Sequence, residues 1–217
     1  FRAKQQTWRE RLEAERSNIR AALAWFEAIG DAERAQRLTG SLLWFGILSG
    51  ALRESQDWLR RALVIQGVSS AAARGWALVS ASIVTWFLGD YDQASSLAEQ
   101  GQAVSREGGF ALGFAVAIAT TAEIAWMRGD VETALELGEE AISLLREVGD
   151  PAWLALPLAD IGTAALLAGD RERGDAWSDE SLRINRALGN RWFIAVHHSD
   201  LGVVAHGRGD LMEAARH

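Results

Sequence analysis

The sequence predicts an all-α protein made of helical hairpins that stack in series. Glycine followed by aspartate recurs every 40 residues from Gly89 to Asp210, and a further glycine series has the same spacing, offset by 20 residues. Periods of roughly 20–50 residues are typical of solenoid proteins, in which each repeat is one supersecondary unit. The two series are Gly89-Asp90, Gly129-Asp130, Gly169-Asp170 and Gly209-Asp210, and then Gly109, Gly149 and Gly189.

The residues between these glycines have the composition of helices. Ala, Leu, Arg and Glu are abundant, the chain has only 2 prolines, and no segment alternates polar and apolar residues as a strand does. Each 40-residue unit is therefore expected to contain two helices and two tight turns.

The turns have residues suited to ending one helix and starting the next. Glycine adopts the left-handed conformation that follows a helix, and aspartate accepts hydrogen bonds from the free N–H groups of the next helix. Pro151 follows Gly149 and Asp150, at a first-turn position that needs no N–H. Asn190 replaces aspartate after Gly189, and we expect it to cap in the same way.

The apolar pattern gives the helices in order. Trp8, Leu12, Ile19, Leu23 and Phe26 recur at helical spacing and predict one long helix over residues 7–29. Further helices are predicted over 32–48 and 55–64, and the regular part begins with 69–88. The period then predicts helices near 91–107, 110–128, 131–147, 151–168, 171–188 and 191–208, and a following helix that begins before residue 217, about eleven in all.

Composition limits the class of protein. The hydrophobic content of 49% and the charged content of 24% are those of a soluble globular protein, and without cysteine there is neither a disulfide nor a thiolate metal site. Residues 110–127 contain one charge, Glu123, and approach the length of a membrane span. The equivalent segments one and two repeats later contain Asp160 and Asp200, which favours helices packed between neighbours in a soluble protein. The absence of cysteine fits a reducing cytoplasm, so the expected location is cytoplasmic.

The charge is unevenly distributed. Residues 1–75 contain 12 Lys or Arg against 8 Asp or Glu, whereas residues 76–217 contain 10 against 21. Nucleic-acid binding depends on clustered cations, so the acidic part is not expected to bind nucleic acid directly. We interpret the mildly basic first third as a solvated helix surface that could also contact a neighbouring domain.

Small residues at regular positions resemble the tetratricopeptide repeat (TPR). The segment Gly89-Asp90-Tyr91-Asp92-Gln93-Ala94 is similar to the turn of that repeat, although the period here exceeds its usual length of about 34 residues. The resemblance implies a right-handed superhelix of TPR-like hairpins. The small residues expected at the helix contacts are Ala94, Ala98, Gly101, Ala134, Gly138, Ala141, Gly162, Ala165, Gly174, Ser178, Ser181, Gly202 and Ala205.

The longer repeat resembles the sensor arms of MalT-like and AfsR-like regulators, which are multidomain signal-transduction ATPases of LuxR or SARP type. The stretch Leu12-Glu13-Ala14-Glu15, followed by residues 18–23, resembles the segment that joins the ATPase and winged-helix part to the arm. The resemblance implies that 1–68 is a joining segment with the first hairpins and that 69–217 contains the regular repeats. We expect the sequence to be a fragment, truncated within a repeat at its carboxyl end.

No motif predicts an enzyme, and no cofactor is expected. Lys4 is the only lysine, and no glycine-rich loop precedes it, so any ATPase activity is expected in another domain. His197, His198 and Asp200 form the one candidate metal cluster, but helical geometry lets at most two of them converge, so no metal site is predicted. Nothing in the sequence fixes the separation of Glu123 and Asp160, so paired carboxylate chemistry is not expected.

The tryptophans indicate a candidate binding groove. Trp86 and Trp126 occupy equivalent positions 40 residues apart. The TPR resemblance places this position, and those three and six residues before it, on the concave surface. The alternative is that both tryptophans belong to the core between repeats. The groove candidates are Trp86, Glu123, Trp126, Asp160, Thr163, Leu166, Asp200 and His206.

An aromatic groove with a few carboxylates suits a cationic or mixed apolar partner. The leading hypothesis is a non-enzymatic sensor and protein-interaction arm of a larger, transcriptional regulator. Its expected partners are a peptide, protein or small-molecule effector and the protein's own ATPase or effector domain, with no membrane involved. The alternative is a passive TPR adaptor that binds another protein without switching.

Overall fold

A computed structural model describes residues 5–217, which form thirteen helices and contain no β-strand. The predicted all-α fold of helical hairpins is confirmed, with 84% of the described residues helical. The helices are α1 (Gln5–Ala14), α2 (Arg16–Ile29), α3 (Ala32–Ser41), α4 (Leu43–Leu48), α5 (Leu52–Val64), α6 (Ala71–Phe87), α7 (Tyr91–Glu107), α8 (Ala111–Met127), α9 (Val131–Val148), α10 (Pro151–Ala168), α11 (Arg171–Leu188), α12 (Arg191–Gly207) and α13 (Leu211–Ala214).

The first two predicted helices are each broken once, which was not expected from the apolar pattern. The breaks are at Glu15, between α1 and α2, and at Leu42, between α3 and α4. Before Leu42, the hydroxyl of Thr39 donates to Ala35 O at 2.9 Å and that of Ser41 donates to Leu38 O at 2.8 Å. Such hydroxyls compete with the backbone for helix carbonyls and bend the helix. These two breaks account for thirteen helices in place of about eleven.

The predicted turn chemistry is confirmed at almost every turn. Nine glycines have a positive φ, and seven of them lie at 20-residue intervals from Gly89 to Gly209. Each aspartate of the predicted turns accepts a hydrogen bond from the start of the next helix, and so does Asp31. These caps are Asp31, Asp90, Asp130, Asp150, Asp170 and Asp210.

The prediction for Asn190 is wrong. Its side chain makes no capping hydrogen bond to α12. The residue is 2% exposed, and its Nδ2 donates to Asn185 Oδ1 at 3.1 Å. The Asn190 side chain therefore forms a hydrogen bond in the protein interior instead of capping the helix, because a buried amide needs a hydrogen-bond partner.

The described part of the chain divides into two compact units, an amino-terminal unit over residues 5–124 and a carboxyl-terminal unit from Ala125 to His217. In the amino-terminal unit, large side chains fill the core under α2, α4 and α5, among them Leu23, Phe45 and Trp58. In the following hairpin α6 and α7 approach closely at Gly101, where an added Cβ would lie 2.9 Å from a Val79 methyl group.

Small residues dominate the helix contacts of the carboxyl-terminal unit. A Cβ on Gly138 would lie 2.3 Å from Ile161, and one on Gly174 would lie 2.6 Å from Leu166. Ala134 and Ala141 are fully buried. The predicted close approach of α9 to α10 and of α10 to α11 is therefore confirmed, because these contacts leave no room for a side chain.

Ion pairs separated by 34 residues occur in both units. In the amino-terminal unit Arg20 pairs with Glu54, and Glu27 with Arg61 at 2.5 Å. In the carboxyl-terminal unit Glu139 pairs with Arg173, and Arg146 with Glu180 at 2.7 Å. In each unit, one helix has a positive and a negative side chain seven residues apart. The second helix has two side chains with the same spacing and the opposite order of charge, so that two ion pairs form. We call each set a 34-residue ion-pair ladder.

One helix of the described chain, α10, is long and apolar enough to cross a membrane by length and composition, with a mean hydropathy of 1.4. Half of it is buried inside the protein. The helix packs against α9, α11 and α12, and this packing explains its apolar character. The expected borderline segment corresponds to α8, which is apolar but shorter, at 17 residues.

Candidate interaction surface

Two of the predicted groove residues lie in the amino-terminal unit. Trp86 is partly buried near the end of α6, and its ring lies 4.4 Å from that of Phe87 in an edge-on arrangement. Phe87 is 38% exposed. Glu123 on α8 is partly buried and has a bonding partner. The remaining candidates lie in the carboxyl-terminal unit.

Leu166 does not offer a binding surface. It is 3% exposed and packs over Gly174 of α11. Because Gly174 has no side chain, the space above it accommodates the leucine between α10 and α11. Trp126, at the equivalent position one repeat earlier, is only partly buried, and His206, one repeat later, is exposed.

Asp160 and Asp200 occupy equivalent positions on α10 and α12, which pack against each other. Both are partly buried. Asp160 has an interaction partner, whereas Asp200 has neither a hydrogen bond nor an ion pair within residues 5–217. Burial raises the pKa of Asp200, because a carboxylate is less well solvated there than in water. The hydroxyl of Thr163 donates to Ala159 O at 2.9 Å.

The aspartates lie among apolar side chains that sequence reasoning missed. On α10, Trp153 and Leu156 are partly buried and precede Asp160 by seven and four residues, which places them on the same side of the helix. On α12 the equivalent residues are Phe193 and Val196, and the 40-residue period alone could have identified them. We define the α10–α12 face as Trp153, Leu156, Asp160, Thr163, Phe193, Val196, Asp200 and Val203.

The α10–α12 face combines open apolar surface with carboxylates. Val196 is 38% exposed and Val203 is 67% exposed. Apolar area gives affinity when a partner covers it, and a partly buried carboxylate favours a partner that brings a positive charge. Chemically, the face is suited to binding.

The three residues of the candidate metal cluster lie in different surroundings. His197 is 2% exposed, and burial together with the neighbouring His198 lowers its pKa to about 4. His198 lines a pocket of 510 Å³ between α12 and the residues around α13, together with His206 and His217. Asp200 belongs to the α10–α12 face. Residues 5–217 contain no group of three or more side chains able to hold a metal ion.

His198 and His217 form a hydrogen-bonded pair. Their Nδ1 atoms are 3.0 Å apart, and their ring centroids are 5.3 Å apart. The distance between the two centroids exceeds the distance between the two nitrogens by about two ring radii. The two Nδ1 atoms therefore lie between the rings and point at each other. This is the geometry of an N–H···N hydrogen bond, in which one ring donates and the other accepts.

Comparison with known proteins shows the fold. The structure is similar to that of BtubC from P. vanneervenii, with a TM-score of 0.62 and 18% identity over 90% of this chain and 87% of that one. It is also similar to a STAND protein with a tetratricopeptide repeat sensor from Pyrococcus horikoshii, with a TM-score of 0.62 and 14% identity over 84% of this chain. A putative kinesin light chain from Podosopora anserina with TPR-like repeats gives a TM-score of 0.57 at 16% identity.

The predicted TPR-like repeat fold is therefore confirmed. The chain spans 30% of the length of the Pyrococcus horikoshii protein, 87% of BtubC and 92% of the Podosopora anserina chain. No known family model and no curated protein sequence matches the chain. At these identities the likeness concerns the fold, and function depends on particular surfaces.

Proposed function

We propose that this chain is a non-enzymatic protein-interaction and sensor domain that binds a partner on the α10–α12 face. The observation that supports this most directly is the unpaired, partly buried carboxylate of Asp200 next to the exposed Val203. A cationic group stabilises a carboxylate in such a position. Burial under the apolar side chains of a partner stabilises the surrounding apolar surface. The proposed partner is therefore a peptide or protein segment with both basic and apolar side chains.

The proposed context is a larger, cytoplasmic transcriptional regulator of MalT-like or AfsR-like type. The similarity to a STAND protein with a TPR sensor supports this context, and so does the resemblance of residues 12–23 to a joining segment. In this proposal residues 1–68 connect the arm to an upstream ATPase part, and residues 69–217 supply the repeats. Residues 1–4 of the proposed joining segment lie outside the described residues. Switching requires that the partner bind one arrangement of the arm more tightly than another.

The alternative is a passive adaptor. The open character of the α10–α12 face favours it, because small molecules usually bind in concave pockets that cover most of their surface. In this case the partner is held without any change in the rest of the protein.

The test uses synthetic peptides of mixed arginine and leucine content, with binding followed by fluorescence anisotropy. We expect the double variant Asp160→Asn with Asp200→Asn to weaken the tightest peptide about tenfold, because each lost charge pair contributes about 0.5–1 kcal/mol or more in a partly desolvated site. Asp179→Asn is the matched control, since Asp179 is an exposed carboxylate on α11 in the same unit.

Equal affinity of the double variant and the control would overturn the choice of face. A sensor and an adaptor are then separated by a thermal-shift screen. Stabilisation by a metabolite favours the sensor, whereas stabilisation by peptides alone favours the adaptor.

A further inference from the structure

His197 occupies a position that is apolar in the other repeats. The equivalent residues at 40-residue intervals are Ala77, Ala117 and Pro157, and all of them are buried. His197 is 2% exposed, and neither of its ring nitrogens lies in hydrogen-bonding geometry with a partner within residues 5–217. An imidazole in this environment is tolerated as the neutral form, because burial penalises a charge that is not paired.

The nearest ionisable groups add to the cost of a proton on His197. His198 follows directly on α12, and His217 also acts on His197. Arg186, on α11, acts on His198. All three are cationic when charged, so they repel a protonated His197. The backbone of Ser178, also on α11, favours the protonated ring, but it does so less than burial disfavours it.

No carboxylate of the packed elements, those of α11 included, is among the groups that act on His197. Asp160 is the one charged residue of α10 and has a partner of its own. Glu213 of α13 pairs with Arg171. Asp200 is on α12 itself, three residues after His197, and is shifted toward its neutral form by burial.

The His198–His217 pair is a second acid-sensitive contact at the same end. Its N–H···N hydrogen bond needs one ring with a free acceptor nitrogen. When both rings are protonated, both nitrogens are donors and the contact becomes a repulsion. Protonation of His197 and protonation of the His198–His217 pair therefore both disfavour the packed arrangement of α12 and α13.

We propose that residues 191–217 form an acid-released element, in which protonation of His197, together with the His198–His217 pair, detaches α12 and α13 from the α10–α11 hairpin. The hairpin itself contains no histidine and keeps its packing. This inference concerns the fold of the last repeat and holds whether or not the α10–α12 face binds a partner.

The direction of the effect follows from linkage. Burial holds His197 at a pKa of about 4, whereas a released His197 has the ordinary value of 6.5. The closed state is thus fully favoured above about pH 6.5 and loses stability as the pH falls toward 4. On this basis the open population at about pH 5 is roughly 30-fold larger than at about pH 7.5.

Hydrogen–deuterium exchange of the whole chain tests the proposal, with rates corrected for the intrinsic pH dependence of exchange. Wild-type protection in α12 is expected to fall about 30-fold between pH 7.5 and 5, while protection in α6 and α7 changes little. His197→Ala is the matched variant, because alanine is the native residue at the equivalent positions 77 and 117. It is expected to remove most of the pH dependence.

A second variant provides an independent test if His197→Ala does not fold. His198→Asn with His217→Asn keeps His197 and removes the pair, and we expect it to retain most of the acid response with lower protection at neutral pH. The proposal is overturned if His197→Ala shows the wild-type pH dependence. It is also overturned if α10, α11 and α12 lose protection together in the wild-type protein.

Discussion

The first five helices of the amino-terminal unit and the four long helices of the carboxyl-terminal unit pack by different means. In the carboxyl-terminal unit α9 to α12 are 17 or 18 residues long, and Gly or Ala lies at their contacts. In the amino-terminal unit α1 to α5 range from 6 to 14 residues, and large side chains such as Phe45 and Trp58 fill the core. Uniform small residues permit repetition, because every copy has the same helix separation. Large residues require an individual arrangement at each site.

The units nevertheless share the 34-residue ion-pair ladder. It joins α2 to α5 in one unit and α9 to α11 in the other, with the order of the charges reversed. The same spacing of charges therefore recurs in both units, while the packing of the helices differs. Substitutions that act on packing should distinguish the units, and substitutions in the ladder should not.

The largest effect is expected from Trp58→Ala in the amino-terminal unit. Trp58 is 3% exposed in the core with Leu23 and Phe45. Removing a buried aromatic ring costs about 3–5 kcal/mol, because it loses burial and leaves a cavity. Urea denaturation should show this loss, with exchange protection falling in α2 and α5 first. An equal loss in α10 and α11 would contradict the division into units.

Gly174→Ala is the corresponding test in the carboxyl-terminal unit. The added methyl group would lie 2.6 Å from Leu166 Cγ and 2.9 Å from the carbonyl oxygen of Gly162, and the backbone cannot move as a side chain can. Overpacking of this kind costs about 1–3 kcal/mol. Gly207→Ala is the control, because nothing lies within 4 Å of its added Cβ. Comparable denaturation midpoints for the two variants would show that close approach is not required.

Asn190→Asp tests whether the sequence preference for helix caps or the burial of the side chain determines stability at this turn. The rule for helix caps predicts a gain, because aspartate is the residue at the equivalent position 150. The structure predicts a loss of about 1–3 kcal/mol, because a buried carboxylate would face the acceptor Oδ1 of Asn185. Thermal denaturation decides between the two, and a raised midpoint would support the local rule.

The smallest effect is expected from the ladder. Arg61 donates to Glu27, and this hydrogen bond is the main cause of the lowered pKa of Glu27. The pair therefore contributes stability above the ordinary pKa of a glutamate, and this contribution is lost as the pH falls below it. With both side chains about 30% exposed, Arg61→Ala should cost roughly 0.5 kcal/mol, less at high salt. A loss above about 2 kcal/mol, or one unaffected by salt, would mean that packing dominates.

The turns and the small contacts could be predicted from sequence because they depend on local chemistry repeated at a fixed period. Asn190 and Leu166 could not, since each is decided by a residue on another helix or turn, namely Asn185 and Gly174. The break at Leu42 depends on the hydrogen bonds of Thr39 and Ser41, which a count of apolar residues does not include. Of the candidate site, the TPR resemblance identified Asp160 and Asp200, whereas the apolar side chains on the same side of the helices were not predicted.

The central claim is that the α10–α12 face is the binding surface, and an exchange footprint tests it most directly. Deuterium uptake of the whole chain is measured with and without the tightest arginine–leucine peptide at neutral pH. The account predicts slower exchange confined to α10 and α12, with α9 and α11 unchanged. Slower exchange on α9 and α11, or in the amino-terminal unit alone, would contradict it.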